Sequence, residues 1–158
     1  MRRARFAALP LIVSALAGCQ TAYYGAMEKI GHPKRQILVD RVKDARDDQE
    51  AAKQQFTSAL EEFTSVTGFK GGKLQEAYAT LSAAYQRSKS RADDVHTSIG
   101  KVDNVAQALF KEWEGELDQY KNEGLRRDSA RKLTQTRERY TQLIGAMKRV
   151  ESRIAPVL

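Results

Sequence analysis

From Leu38 onward, apolar side chains recur at alternating steps of four and three residues: Leu38, Val42, Ala45, Ala52, Phe56, Ala59, Phe63 and Val66. Gln49 is the single polar member of the series. That spacing is the heptad seam of a helix packed along its length against others. "TGFKGG" (Thr67 to Gly72) interrupts it. A second seam runs through Leu74, Tyr78, Leu81, Tyr85, Ser88, Ala92, Val95, Ile99, Val102, Ala106, Leu109 and Trp113, with Tyr120 still in phase. After a break at Asn122–Gly124, a third follows: Ser129, Leu133, Thr136, Tyr140, Leu143, Met147, Val150 and Ile154. Pro156 ends it. No strand-like alternation competes. The pattern predicts an all-α fold, a long antiparallel three-helix coiled coil, with helices at about 33–66, 73–121 and 127–155.

The lengths of these seams carry a second expectation. Folding back at 67–72 sets Phe56 near Tyr85 and Val42 near Ile99, and the second reversal sets Leu143 near Ala106 and Ile154 near Val95. All three helices then overlap only around Val95 to Ala106. The end bearing Phe56, Phe63, Tyr78, Leu81 and Tyr85 has two helices and a half-covered apolar face. Faces of that kind mark contact sites. Self-association or an envelope protein partner is the expectation there.

The amino end reads differently. Arg2, Arg3 and Arg5 precede an uncharged run, Phe6 to Gly18, that ends at the chain's lone cysteine, Cys19. A short basic region, a brief apolar core and a small-residue boundary make an export signal. The run falls short of the roughly 20 apolar residues that span a bilayer. The boundary Leu16, Ala17, Gly18, Cys19 resembles the lipobox of bacterial lipoproteins, which implies cleavage before Cys19 and a covalent lipid on its thiol. With one cysteine an intramolecular disulfide is impossible. Residues 1–18 are then a signal peptide, 19–32 a lipidated tether reaching at most about 45 Å, and 33–158 the helical domain. The location implied is the cell envelope. In a host with two membranes it is the outer membrane, facing the periplasm, because Gln20 rather than Asp follows the cysteine.

Charge adds one feature. The chain is basic overall, +7, and residues 124–158 hold nine basic groups against three acidic ones. Arg126, Arg127, Arg131, Lys132, Arg137 and Arg139 crowd the start of the third helix and are candidates for binding an anion. Export leaves anionic lipid or cell-wall polymer as the available partner and removes nucleic acid; a solvated charged face is the plainer reading.

Four stretches, "YYGAMEKIGHPKRQILVDRV", "ALFKEWEGELDQY", "LRRDS" and "RYTQLIGAMKRVESRIAPVL", resemble an uncharacterised family of bacterial lipoproteins, a domain of unknown function. The likeness covers about Tyr23 to Leu158 and implies no activity. It also implies a further amphipathic stretch after "PVL", which would extend the third helix over the half-covered end; this chain stops at Leu158, as a short member or an incomplete reading frame.

Catalytic chemistry finds little to stand on. His32 and His96 are the two histidines, so no metal site of ordinary ligand spacing is expected, and no cofactor beyond the lipid on Cys19. "GFKGGK" departs from phosphate-loop spacing and reads as a helix–helix turn. Glu112, Glu114 and Glu116 flank Trp113, but Glu112 and Glu116 lie a turn apart on one helix, where a coiled coil provides no cleft to hold a sugar between paired acids. Trp113 with Tyr120 is a minor candidate for binding wall glycan. The reading is therefore a lipid-anchored envelope protein with a structural or interaction role and no enzymatic activity. Two alternatives stand beside it. One is docking to anionic lipid or wall polymer through the basic third helix. The other is a cell-wall hydrolase or its regulator, using Glu112 or Glu116.

Overall fold

The computed structural model describes residues 33–67 and 74–154. The expected signal segment with Leu16, Ala17, Gly18 and Cys19, the expected tether and the Gly-rich connection at 68–73 lie outside the described residues. Three helices account for nearly all the rest: α1 (Lys34–Thr67), α2 (Leu74–Leu117) and α3 (Glu123–Ile154). No strand occurs among the described residues.

Helix α1 begins where the Pro33 carbonyl accepts hydrogen bonds from Gln36 N and Ile37 N, at 2.9 and 3.1 Å. Its direction relative to α2 follows from two bridges: Lys34 reaches Glu112 at 3.2 Å, and Glu62, near the other end, reaches Arg87 at 2.7 Å. Helix α3 reverses again, with Trp113 bonded to Ser129 at 2.8 Å and His96 against Glu151 at 2.5 Å. Each helix therefore runs opposite to the one before it.

The second reversal differs from the expected one. Helix α2 stops at Leu117 rather than near 121, and α3 starts at Glu123 rather than 127. Asn122 is the cause. Its Oδ1 accepts the Leu125 amide at 3.1 Å, and its carbonyl accepts that of Arg126 at 3.0 Å. An asparagine that satisfies the otherwise orphaned amides of a first turn fixes where a helix begins. Gly124 sits inside that first turn rather than in the break; a Cβ there would approach Asn122 Oδ1 to 3.1 Å.

The core lies where all three helices run together. Ala45 and Ala52 of α1, Val95, Ile99 and Val102 of α2, and Ile144 and Met147 of α3 form one buried cluster, with Leu38, Val42, Phe56, Tyr140 and Ile154 packed on it. A second cluster pairs Ile37 with Val105, and a third joins Ala106, Phe110 and Leu133. On α2 the buried positions are nearly continuous from Val95 to Phe110 and dwindle to Ala84 and Ser88 before that. Ile37, Val105 and Phe110 lie off the heptad seams. They are buried because α2, wedged between two neighbours, presents a face wider than a two-per-heptad stripe.

In α3 the seam itself shifts. Leu143 and Val150 are exposed, while Ile144 faces the core. Leu133, Tyr140, Ile144, Met147 and Ile154 form the buried stripe, and the rotation is held by Tyr140. Its ring meets Phe110 edge-on at 5.4 Å and its hydroxyl donates to Asp103 on α2. With Tyr140 fixed, the residues one and two turns on, Ile144 and Met147, are carried inward. Gln49, the polar interruption in the first seam, keeps its side-chain nitrogen buried without a hydrogen-bond partner.

The shifted seam has a direct consequence. Ile144→Ala should cost about 2–3 kcal/mol, as for other buried large-to-small changes, whereas Leu143→Ala should cost less than about 1 kcal/mol, as for surface changes. Urea unfolding followed by circular dichroism distinguishes the two, and equal losses would contradict the observed rotation of α3.

Candidate functional site

Past the core the molecule thins to the hairpin of α1 and α2. Phe56, Ala59, Leu60 and Phe63 on one helix face Leu81, Ala84, Tyr85 and Ser88 on the other, across a groove of about 400 Å³. The apolar residues recur at helical spacing on both helices, so they share one face. Among the described residues, no third helix covers them. Phe56 and Leu81 are half-buried at its floor, while Phe63 is 52% exposed, Tyr85 44% and Tyr78 73%. All five sequence-predicted residues thus lie at this end, four of them lining the groove and Tyr78 standing one turn beyond it. Leu60 and Leu74, at 64% and 85% exposed, join the same surface. Leu74 was legible as a seam residue. Leu60 was signalled only by its place one turn after Phe56.

One polar atom belongs to this groove. Ser88 is buried at 3% exposure, and its hydroxyl has no hydrogen-bond partner. A helical serine ordinarily turns its hydroxyl back to the carbonyl one turn earlier, so an unsatisfied one at a groove wall is a donor without an acceptor.

The cations at the start of α3 differ in their partners. Arg126 pairs with Asp118 at 3.4 Å, Arg131 with Asp128 at 2.5 Å and Arg137 with Glu114 at 2.6 Å. Arg137 also lies 5.2 Å from the centre of the Phe110 ring. Arg127, Lys132 and Arg139 are exposed and make no ion pair among the described residues. The six candidate cations therefore do not converge. Half are engaged by carboxylates, and half point outward.

The acidic run around Trp113 is likewise split. Glu112 turns toward α1 and Lys34, and Glu114 toward α3 and Arg137, whose hydrogen bond holds the Glu114 carboxyl below its ordinary range. Contrary to the expectation that no cleft forms here, Pro33, Lys34, Arg35, Leu109, Glu112, Trp113 and Glu116 enclose a shallow one of about 340 Å³. It arises because Pro33 and the first turn of α1 stop against α2 at this point. Arg35 lies over the indole, 5.1 Å from its centre, and the indole N–H is spent on Ser129. Arg35 thus occupies one face of the Trp113 indole, and the indole N–H is not available to a sugar. Tyr120, in the turn beyond α2, does not line the cleft.

Among the described residues, no group of three or more His, Cys, Asp or Glu could hold a metal ion. No helix among them is long and apolar enough to cross a membrane. The most strongly perturbed ionisable pair is structural. The Tyr140 hydrogen bond holds Asp103 below its ordinary range, helped by Gln107 and Lys148 and opposed by partial burial. Burial, and then Asp103 itself, raise the Tyr140 hydroxyl.

A family model described as a protein of unknown function (DUF2959) matches residues 23–158. No curated protein and no solved structure matches the chain.

The Asp103–Tyr140 pair predicts a pH dependence. A carboxyl held low in the folded state stabilises it above the ordinary value near 4 and loses that contribution as the pH falls further. Tyr140, held high, contributes below about 10 and loses its contribution at more alkaline pH. Tyr140→Phe keeps the ring against Phe110 and should cost about 1 kcal/mol at neutral pH, a value lowered for the partial exposure of Asp103. The penalty should shrink below pH 4. Equal penalties at pH 7 and pH 3 in denaturant titrations would show that the charge on Asp103 adds nothing to the hydrogen bond.

Proposed function

We propose, for a chain that belongs to the DUF2959 family of proteins of unknown function, a structural or interaction role in the bacterial cell envelope. A lipid on Cys19 anchors it, and the helical body holds a protein partner through the open face of the α1–α2 hairpin. The observation that carries this reading is the groove walled by Phe56, Phe63, Leu81 and Tyr85, apolar surface left uncovered among the described residues. The signal-like segment and the order Leu16, Ala17, Gly18, Cys19 support the anchor. Lipid chains add on the order of 0.8 kcal/mol per buried CH₂, so several hold a small domain at a membrane without a spanning helix. In a host with two membranes, the location proposed is the outer membrane, facing the periplasm.

No catalytic role is proposed. Glu114 is drawn toward α3 by Arg137, and Glu112 and Glu116, which both line the shallow cleft, stand a turn apart on one helix rather than facing each other across it as the acids of glycoside hydrolysis do. A second reading rests on Arg127, Lys132 and Arg139, whose outward charges are free to meet anionic lipid or wall polymer. It is compatible with the first, since the basic face and the groove occupy different ends of the molecule.

Expressed in a bacterium, the full chain should incorporate radiolabelled fatty acid and partition into detergent. Cys19→Ala should lose the label while retaining its helical circular dichroism. An unlabelled wild-type chain sinks the anchor. Retention of an unanchored Cys19→Ala chain on membranes at low salt, with release at high salt, would favour docking by the basic helix.

A further inference from the structure

Helix α3 carries a second stripe beside its buried one. Leu125, Lys132, Arg139, Leu143, Val150 and Arg153 follow one another at steps of seven, seven, four, seven and three, so they share one side of the helix. All six are exposed, Leu125 at 58%, Leu143 at 38% and Val150 at 46%. The rotation that carries Ile144 and Met147 into the core is what leaves Leu143 and Val150 on this outer side.

Charge is interleaved with these apolar positions. Lys132, Arg139 and Arg153 make no ion pair among the described residues, and Arg149, next to Val150, is a further exposed cation. The acids of α3 do not offset them. Asp128 is taken by Arg131 and Glu151 by His96, each at 2.5 Å, and Glu123 sits in the first turn, where the helix dipole favours it. Glu138 alone stands exposed among these cations. The apolar seam of another helix would have to bury Lys132 and Arg139 unpaired, at a cost no small contact offsets. A wall polymer would meet the charges and leave Leu125, Leu143 and Val150 in water. An anionic bilayer meets both. Short apolar side chains dip below the headgroups while long Lys and Arg stems lie along the surface and carry their charge out to the phosphates.

We propose that α3 is the membrane-facing side of this domain, lying along anionic lipid headgroups through that stripe. The proposal rests on the reading of the basic helix as an anion-docking face and commits it to lipid. The anchor strengthens it. Lys34 meets Glu112 and Trp113 meets Ser129, so α1 begins at the end of the molecule where α3 begins. A lipid attached upstream of Pro33 holds the start of the stripe within about 45 Å of the bilayer, and α3, 32 residues, is itself about 48 Å long. Docking is then an intramolecular step, for which a modest surface suffices. The rod lies along its membrane rather than standing on it.

Position-specific probes test this, because a lipidated Cys19 has no free thiol. The full chain carrying Leu143→Cys is labelled with a fluorophore and reconstituted into phosphatidylcholine vesicles containing about one-third phosphatidylglycerol. Nitroxide-bearing lipids should quench it roughly threefold more than the same label at Asn104→Cys, an exposed site on the side of α2 away from the buried Val102 and Ala106. High salt should bring the two sites level. Lys132→Glu with Arg139→Glu should do the same and leave helical circular dichroism unchanged. Equal quenching at both sites at low salt overturns the docking of α3, and the anchor still stands if the chain floats with the vesicles. A chain that does not float with vesicles of phosphatidylcholine alone overturns the anchor, and the same probes in a Cys19→Ala background then decide the docking by themselves. Charge-dependent co-sedimentation with isolated peptidoglycan, without quenching at Leu143→Cys, overturns lipid in favour of wall polymer.

Discussion

The constraint on which this molecule turns is the covering of α2. That helix is 44 residues long, against 34 for α1 and 32 for α3, and its apolar face continues along most of its length. Neither neighbour alone can bury a face that wide, so the stable core forms where both are present, from Val95 to Phe110. Everything else follows from where the neighbours begin and end. Helix α1 starts opposite Glu112, leaving the α2–α3 turn as one two-helix end. Among the described residues, helix α3 ends alongside Val95, leaving the α1–α2 hairpin as the other. Burial is the dominant favourable term in such a fold, and its shortfall at the hairpin is what makes that end a candidate for association.

Polar contacts set the phase within this frame. Exposed ion pairs such as Arg131–Asp128 contribute little each. Cross-helix contacts matter more for geometry than for energy. Lys34–Glu112 and Glu62–Arg87 bracket the length of α1 against α2, and Asp103–Tyr140 fixes the rotation of α3. Gln49, buried and unsatisfied at its nitrogen, works against stability at the centre of α1. A polar residue at a seam position can fix register at a cost in stability.

The same division explains how charge and chemistry are distributed. A run of cations in the sequence, Arg126 to Arg139, is dispersed in space: Arg126 and Arg137 are drawn to Asp118 and Glu114, Arg131 pairs with Asp128 of its own helix, and Arg127, Lys132 and Arg139 are exposed. The acids around Trp113 separate as well, with Glu112 and Glu114 serving different neighbours. A helix distributes adjacent residues around its circumference, so clusters along the chain do not become clusters in space.

The sequence by itself determined the helices and their number, because a repeat of apolar residues every three to four positions has one economical backbone solution. It also determined which end is thin, since seam lengths follow from counting. Three matters were decided only by tertiary structure. Leu143 and Ile144 are adjacent and both apolar, and nothing local chooses between them; the bond from Tyr140 to a residue thirty-seven positions away does. Asn122 could equally end one helix or begin the next until its side chain met the Leu125 amide. Ile37, Val105 and Phe110 became core only because α2 is flanked on two sides, a fact about neighbours rather than about spacing along the chain.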